Sequence, residues 1–298
     1  MESTFNKIIT DSNSNLESYK KINRIKDFLI LDDAEIYYEI IGNGPPLIFI
    51  HGLGGNHLSW WQQIPFFVER FTCVTFSHRG FSLSKNHSNK YGARIFADDL
   101  SALIDHLQLK EVNLVAQSMG GWTALNYTLR NCSNVRSLIM ASTTGELNYK
   151  SIYHSEIRKL KEWEDYSEKV KAELELHGIL ASTGTRMAIE QPGMSYLYKQ
   201  IYDLTPNEYK NIIRHEIRTS RILSPDNFTK LTVPLFFIAG EEDVLFPPLA
   251  AKAAVSLLKN SDYSCVPKSG HSVYFERPDI FNRLVDKYLK LVYDKNDL

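Results

Sequence analysis

Val112-Asn113-Leu114-Val115-Ala116-Gln117-Ser118-Met119-Gly120-Gly121 runs from an apolar stretch, through a serine set among small residues, into the helix-period segment 119–131. A continuous rather than alternating apolar run reads as a strand covered on both faces, as in a parallel sheet. Ala116 stands two positions before Ser118 and Gly120 two positions after it. Small residues at both places suit a tight strand-to-helix turn, where larger side chains would collide. Such a turn lifts the hydroxyl clear of the sheet and aims the N–H groups of a helix start at developing negative charge. A lone serine after a strand is equally a helix N-cap, so the rest of the chain has to decide.

Working outward, apolar runs at 46–50, 71–76, 112–116, 135–141, 233–239 and 263–266 read as strands. Segments of helical length lie at 58–70, 93–108, 119–131 and 248–259. Two β-rich runs, 28–31 and 36–41, flank the turn signal Asp32-Asp33 and open the sheet with a hairpin. Strand-helix alternation of this kind predicts an α/β fold, a doubly wound and mostly parallel sheet. From 145 to 224 the sequence turns charged and helix-periodic with no strand-like run, which predicts a helical cap inserted into the sheet domain. The expected organisation is a polar N-terminal segment at 1–24, a core formed by 25–144 and 225–298, and the cap at 145–224.

Three further stretches bear on Ser118. Phe49-Ile50-His51-Gly52-Leu53-Gly54-Gly55 follows a strand, and its glycine-rich turn is suited to present a backbone N–H beside the serine, that of Leu53. With the N–H of Met119 it would make a two-donor oxyanion hole. His51 is expected to stabilise the loop rather than act on a substrate. Phe237-Ile238-Ala239-Gly240-Glu241-Glu242-Asp243 places Asp243 just beyond a strand, at the carboxyl edge where sites gather in open α/β sheets. Pro267-Lys268-Ser269-Gly270-His271-Ser272 puts His271 on a loop after the last strand. Each residue alone has a plain structural reading, Asp243 as a turn or cap residue above all. Their order, serine then acid then histidine, on the right elements, points to a nucleophile, an orienting acid and a general base.

Bulk composition excludes several partners. The 298 residues are 43% hydrophobic and 12% aromatic, enough for one large core. Lys and Arg number 34 against 35 Asp and Glu, and no basic stripe points to nucleic acid or an anionic membrane. A small-molecule substrate is the expected partner, for a monomer or a homodimer. Cys73, Cys132 and Cys265 are odd in number and widely spaced, which reads as reduced thiols. There is no H-E-x-x-H or C-x-x-C spacing, and neither a metal nor an organic cofactor is expected. No apolar run reaches the ~18 residues of a membrane span, and the first residues lack a signal-peptide run, so a cytoplasmic protein is expected. The tail Lys295-Asn296-Asp297-Leu298 is expected to be a frayed end rather than a retention signal.

On these residues the chain resembles the α/β-hydrolase superfamily, in its capped serine-hydrolase branch of carboxylesterases, lactonases, perhydrolases and carbon–carbon hydrolases. The resemblance covers roughly 27–290 and is weakest in the cap. His51-Gly52-Leu53-Gly54-Gly55 resembles the oxyanion loop, Ser118 with Gly120 and Gly121 the nucleophile elbow, Asp243 the acid and His271 the histidine. Ser77-His78-Arg79-Gly80-Phe81-Ser82-Leu83-Ser84 resembles the family's D-x-R-G-x-G-x-S loop, with Ser77 and Ser82 departing from it, and a structural role is expected there. Ala116 replaces the usual first elbow glycine, and Gln117 stands where many members carry histidine. The resemblance implies cleavage of a carboxylic ester or related acyl bond of a small, largely apolar substrate through an acyl-enzyme. Alternatives are hydrolysis of a carbon–carbon bond in a ring-fission product, or a receptor that keeps the fold. Within the cap, the stretch 187–202 is expected to line the pocket, with Met194 and Tyr198 as substrate-binding residues.

Overall fold

The computed structural model describes residues 23–152, 157–219 and 222–296. The polar segment expected at 1–24 lies almost wholly outside them, and β1 begins at Arg24. Strands β1 (Arg24–Ile30), β2 (Ala34–Ile41), β3 (Pro46–Ile50), β4 (Thr72–Phe76), β5 (Lys85–Asn86), β6 (Val112–Gln117), β7 (Val135–Ala141), β8 (Leu235–Gly240) and β9 (Ser261–Val266) form one sheet. Its order is β1-β2-β4-β3-β6-β7-β8-β9, with β5 paired to β2. β2 runs antiparallel to β1, β4 and β5, whereas every pairing from β4 through β3 to β9 is parallel.

The continuous apolar runs have a direct physical cause. Successive side chains of a strand point to opposite faces, and here both faces are covered. Leu114 and Ala116 of β6 enter one core, with Ala97 and Leu100 of α1 (Ala93–His106), Ala124 and Leu125 of α2 (Gly120–Arg130) and the strand residues Ile48, Met140 and Phe237. Val115 of the same strand enters the other, with Phe49, Ile139, Phe236, Trp60 and Phe67. All residues of β6 and β8 are buried.

Between β7 and β8 the chain forms α3 (Ile157–Leu176), α4 (Gly184–Glu190), α5 (Pro192–Asp203) and α6 (Asn207–Thr219). After β8 come α7 (Pro248–Val255), which packs in the first core, and α8 (Pro278–Asn296), whose Phe281, Val285, Leu289 and Val292 complete the second. The helix expected over 58–70 is instead a 3-10 turn at His57–Trp60 and a single helical turn at Ile64–Phe67. Pro65 explains the break, because it lacks an N–H and is tolerated only in a first helical turn. β5 also went unforeseen, since two residues carry no periodicity.

β3 is the switch point of the sheet. β4, the next strand along the chain, lies on one side of it, and β6 lies on the other. A crevice opens at the carboxyl ends of such a strand pair, and Leu53 and Ser118 follow the ends of β3 and β6.

Candidate active site

Ser118 has a left-handed backbone, φ +51°, a conformation that non-glycine residues rarely adopt outside functional turns. Its N–H bonds to the carbonyl of Ala141 at 3.0 Å, and its own carbonyl accepts from Gly121 at 2.8 Å, which closes the turn into α2. The need for glycine at 120 is steric: a Cβ there would stand 2.4 Å from the Ile50 carbonyl oxygen. At Gly52 a Cβ would fall 2.0 Å from the Gln117 side-chain oxygen. Gln117 also donates from Nε2 to the His271 carbonyl at 3.3 Å, so the residue before the serine fills the gap between the two neighbouring loops.

The structure brings the three separated residues together. His271 Nε2 lies 2.8 Å from Ser118 Oγ, and His271 Nδ1 lies 2.8 Å from Asp243 Oδ2. Asp243 is buried, and its other oxygen accepts from the N–H groups of Leu245 at 2.8 Å and Phe246 at 2.9 Å. The carboxylate is therefore fixed before it meets the imidazole. With Nδ1–H facing Asp243, Nε2 is left as the acceptor for the serine hydroxyl. Leu53 lines the cavity over Ser118 and Met119 follows the serine directly. Among the described residues, neither backbone N–H is taken up by the fold's own hydrogen bonds.

His51 lies beneath the turn, as expected. It is fully buried, and burial pushes its imidazole down to about 3, so it is neutral. Its Nε2 accepts from the His78 N–H at 2.9 Å and faces His78 Nδ1 at 2.9 Å, which leaves Nδ1–H to donate to the Gly52 carbonyl at 2.8 Å. His78 Nε2 then accepts from Thr123 Oγ1 at 3.0 Å. This neutral chain orients the peptide that precedes Leu53. In the same loop, Arg79 forms a fork to Asp99 at 2.6 and 2.7 Å and reaches Asp33 at 3.2 Å, a structural tie between loop, α1 and the opening hairpin.

A cavity of about 790 Å³ opens over Ser118 and His271, and Leu53, Trp122, Leu180, Tyr198, Tyr202 and Phe246 supply much of its apolar wall. Lys171, Glu175 and Arg214 also border it, so the lining is more mixed than the sequence implied. Tyr198 lies on this wall, and its phenol oxygen accepts from Ser272 Oγ, beside His271, at 2.9 Å. Met194 does not line the cavity. One turn earlier on α5, its side chain packs against the second core, where Met187 and Ile201 are buried. Ile189 and Tyr196 face outward, 72% and 66% exposed. Helical periodicity sends only part of an apolar stretch to any one wall.

Several contacts at the site left no trace in the sequence reading. Glu276 is buried and accepts from the N–H groups of Gly270 at 2.7 Å and Ser272 at 3.0 Å, on either side of His271. From α3, Trp163 Nε1 donates to the Asp243 carbonyl at 3.0 Å and Ser167 Oγ to the Val244 carbonyl at 2.6 Å. Arg186 of α4 pairs with Glu242 at 2.5 Å. The only signal for Glu276 was its place five residues past the histidine, and nothing in the sequence pairs α3 with the acid loop. Cys73, Cys132 and Cys265 are free. Among the described residues, no group of three or more His, Cys, Asp or Glu is placed to hold a metal, and no helix is long and apolar enough to cross a membrane.

Comparison with known proteins places this geometry in a family. Over 261 residues the chain is 23% identical to a Mycobacterium tuberculosis protein provisionally named non-heme bromoperoxidase BpoC, covering 86% of this chain and 97% of that one. It is 23% identical over 270 residues to 3-oxoadipate enol-lactonase 2 of Acinetobacter baylyi, covering 89% and 97%. Among solved structures, Est816, an N-acyl homoserine lactone degrading enzyme, superposes with a TM-score of 0.72 at 21% identity, covering 88% and 99%. A family model described as the alpha/beta hydrolase fold matches residues 45–278, which takes in the elbow, the acid loop and the histidine loop, and the chain belongs to that family.

Proposed function

We propose that this chain is a serine hydrolase that cleaves a carboxylic ester, a lactone included, of a small and largely apolar substrate through an acyl-enzyme on Ser118. The observation that carries the reading is the unbroken line Asp243–His271–Ser118, with both contacts at 2.8 Å, facing a cavity of about 790 Å³. In this reading Ser118 Oγ attacks the carbonyl carbon while His271 Nε2 takes its proton and Asp243 stabilises the imidazolium. The tetrahedral oxyanion rests on the N–H groups of Leu53 and Met119. His271 then hands its proton to the leaving alcohol as the carbon–oxygen bond breaks. Water, deprotonated by the same imidazole, attacks the acyl carbon and releases the acid. Helices α3 to α6 serve as a cap that walls the cavity and limits the size of the substrate.

The reading predicts that Ser118→Ala lowers kcat on 4-nitrophenyl butyrate by on the order of 10⁴-fold or more, with an unchanged melting profile. Near-normal turnover by this variant would refute it. The same relay could hydrolyse a carbon–carbon bond in a vinylogous diketone, and a chain that cleaves such diketones but no ester would replace the ester reading.

A further inference from the structure

Ser142 follows the last residue of β7, and three features set it apart. Its backbone is left-handed, φ +52°. Its side chain is 1% exposed, and its Oγ has no hydrogen-bond partner among the described residues. It lines the same cavity as Ser118 and His271. The neighbouring hydroxyl of Thr143 accepts from the Gly145 N–H at 3.0 Å and is thereby part of the turn. Thr144 Oγ1 is also unpartnered, but Thr144 does not line the cavity. A strained backbone and a buried, unpaired hydroxyl both cost stability, and such costs collect where a ligand is met.

Position gives the hydroxyl a direction. The sheet order β3-β6-β7 puts Leu53 and Ser142 on opposite sides of Ser118. A carbonyl oxygen held toward Leu53 leaves the far side of the reacting carbon facing Ser142. Resting on the ester-hydrolase reading above, we propose that Ser142 is a specificity residue whose hydroxyl bonds to a second oxygen of the substrate. The preferred substrate is then an ester or lactone that carries a hydroxyl or oxo group close to the scissile bond. Plain alkyl esters leave the Ser142 hydroxyl unpaired.

The test uses the full chain, Ser142→Ala and Ser142→Gly, with acid release followed by pH-stat on ethyl butyrate, ethyl 3-hydroxybutyrate and 2-hydroxyethyl butyrate. The two hydroxylated esters place the second oxygen on the acyl side and on the alcohol side. Both variants should lower kcat/KM for one hydroxylated ester relative to ethyl butyrate by on the order of tenfold, the scale of one hydrogen bond lost at a buried site. Glycine relaxes the left-handed backbone and alanine does not, so an equal fall in the two variants assigns the effect to the hydroxyl. Ratios that stay put for both hydroxylated esters, or that move in Ser142→Ala alone, overturn the proposal. If the unmutated chain cleaves none of the three esters and takes no fluorophosphonate label, the hydrolase reading falls and this proposal with it; labelling with unchanged ratios removes only the role of Ser142.

Discussion

Burial pushes the Glu276 carboxyl up to about 8, even though the N–H groups of Gly270 and Ser272 favour its charged form. In the unfolded chain the same group titrates near 4.5. The folded state therefore holds the proton more tightly, and stability falls as pH rises from about 4.5 through about 8, levelling above that. Glu276→Gln removes this titration. The difference in melting temperature, wild type minus variant, should shrink steadily between pH 5 and 8 and then flatten; a difference that is constant or grows with pH would contradict the assignment. At this scale the sequence disclosed what chemistry requires by type and order: Ser118, Asp243 and His271 stand out because few residues can perform those steps. Glu242, the residue before Asp243, is engaged with Arg186 instead. Glu276 and Ser142 stayed hidden, because their character comes from burial and from which N–H or cavity they face, and neither is written in local sequence.

Among the elements, the central strands were the most legible, because alternate residues of β3, β6, β7 and β8 enter two different cores and the run becomes continuously apolar. The inserted helices were legible as helices, but their docking was not. α3 rests on the acid loop through Trp163 and Ser167, and α6 brings Ile213 against Phe81, Phe96 and Met119. These contacts join residues 77 to 132 positions apart and follow no periodic pattern. They make the insertion a support for Asp243 as well as a wall of the cavity. Ser167→Ala leaves the Val244 carbonyl without its donor, and the loss should be about 1–3 kcal/mol of unfolding free energy, the usual cost of an unsatisfied buried group. Urea denaturation measures it, and kcat should fall with little change in KM as the acid loop loosens. A variant as stable and active as the wild type would show that α3 merely lies near the loop.

For the whole molecule, Ser118 stands at the switch point of a mostly parallel sheet, under inserted helices, with His271 and Asp243 delivered to it by loops after β9 and β8. Among the described residues, Ser118 is the serine whose hydroxyl meets a histidine held at 2.8 Å by a buried carboxylate. That claim is open to a direct chemical readout. Intact-mass measurement after treatment with a fluorophosphonate, followed by peptide mapping, should find a single adduct on Ser118 in the wild type, none in Ser118→Ala, and much slower labelling in His271→Ala. An adduct on another serine, or no adduct in the folded wild-type chain, would contradict the assignment of Ser118 as the nucleophile.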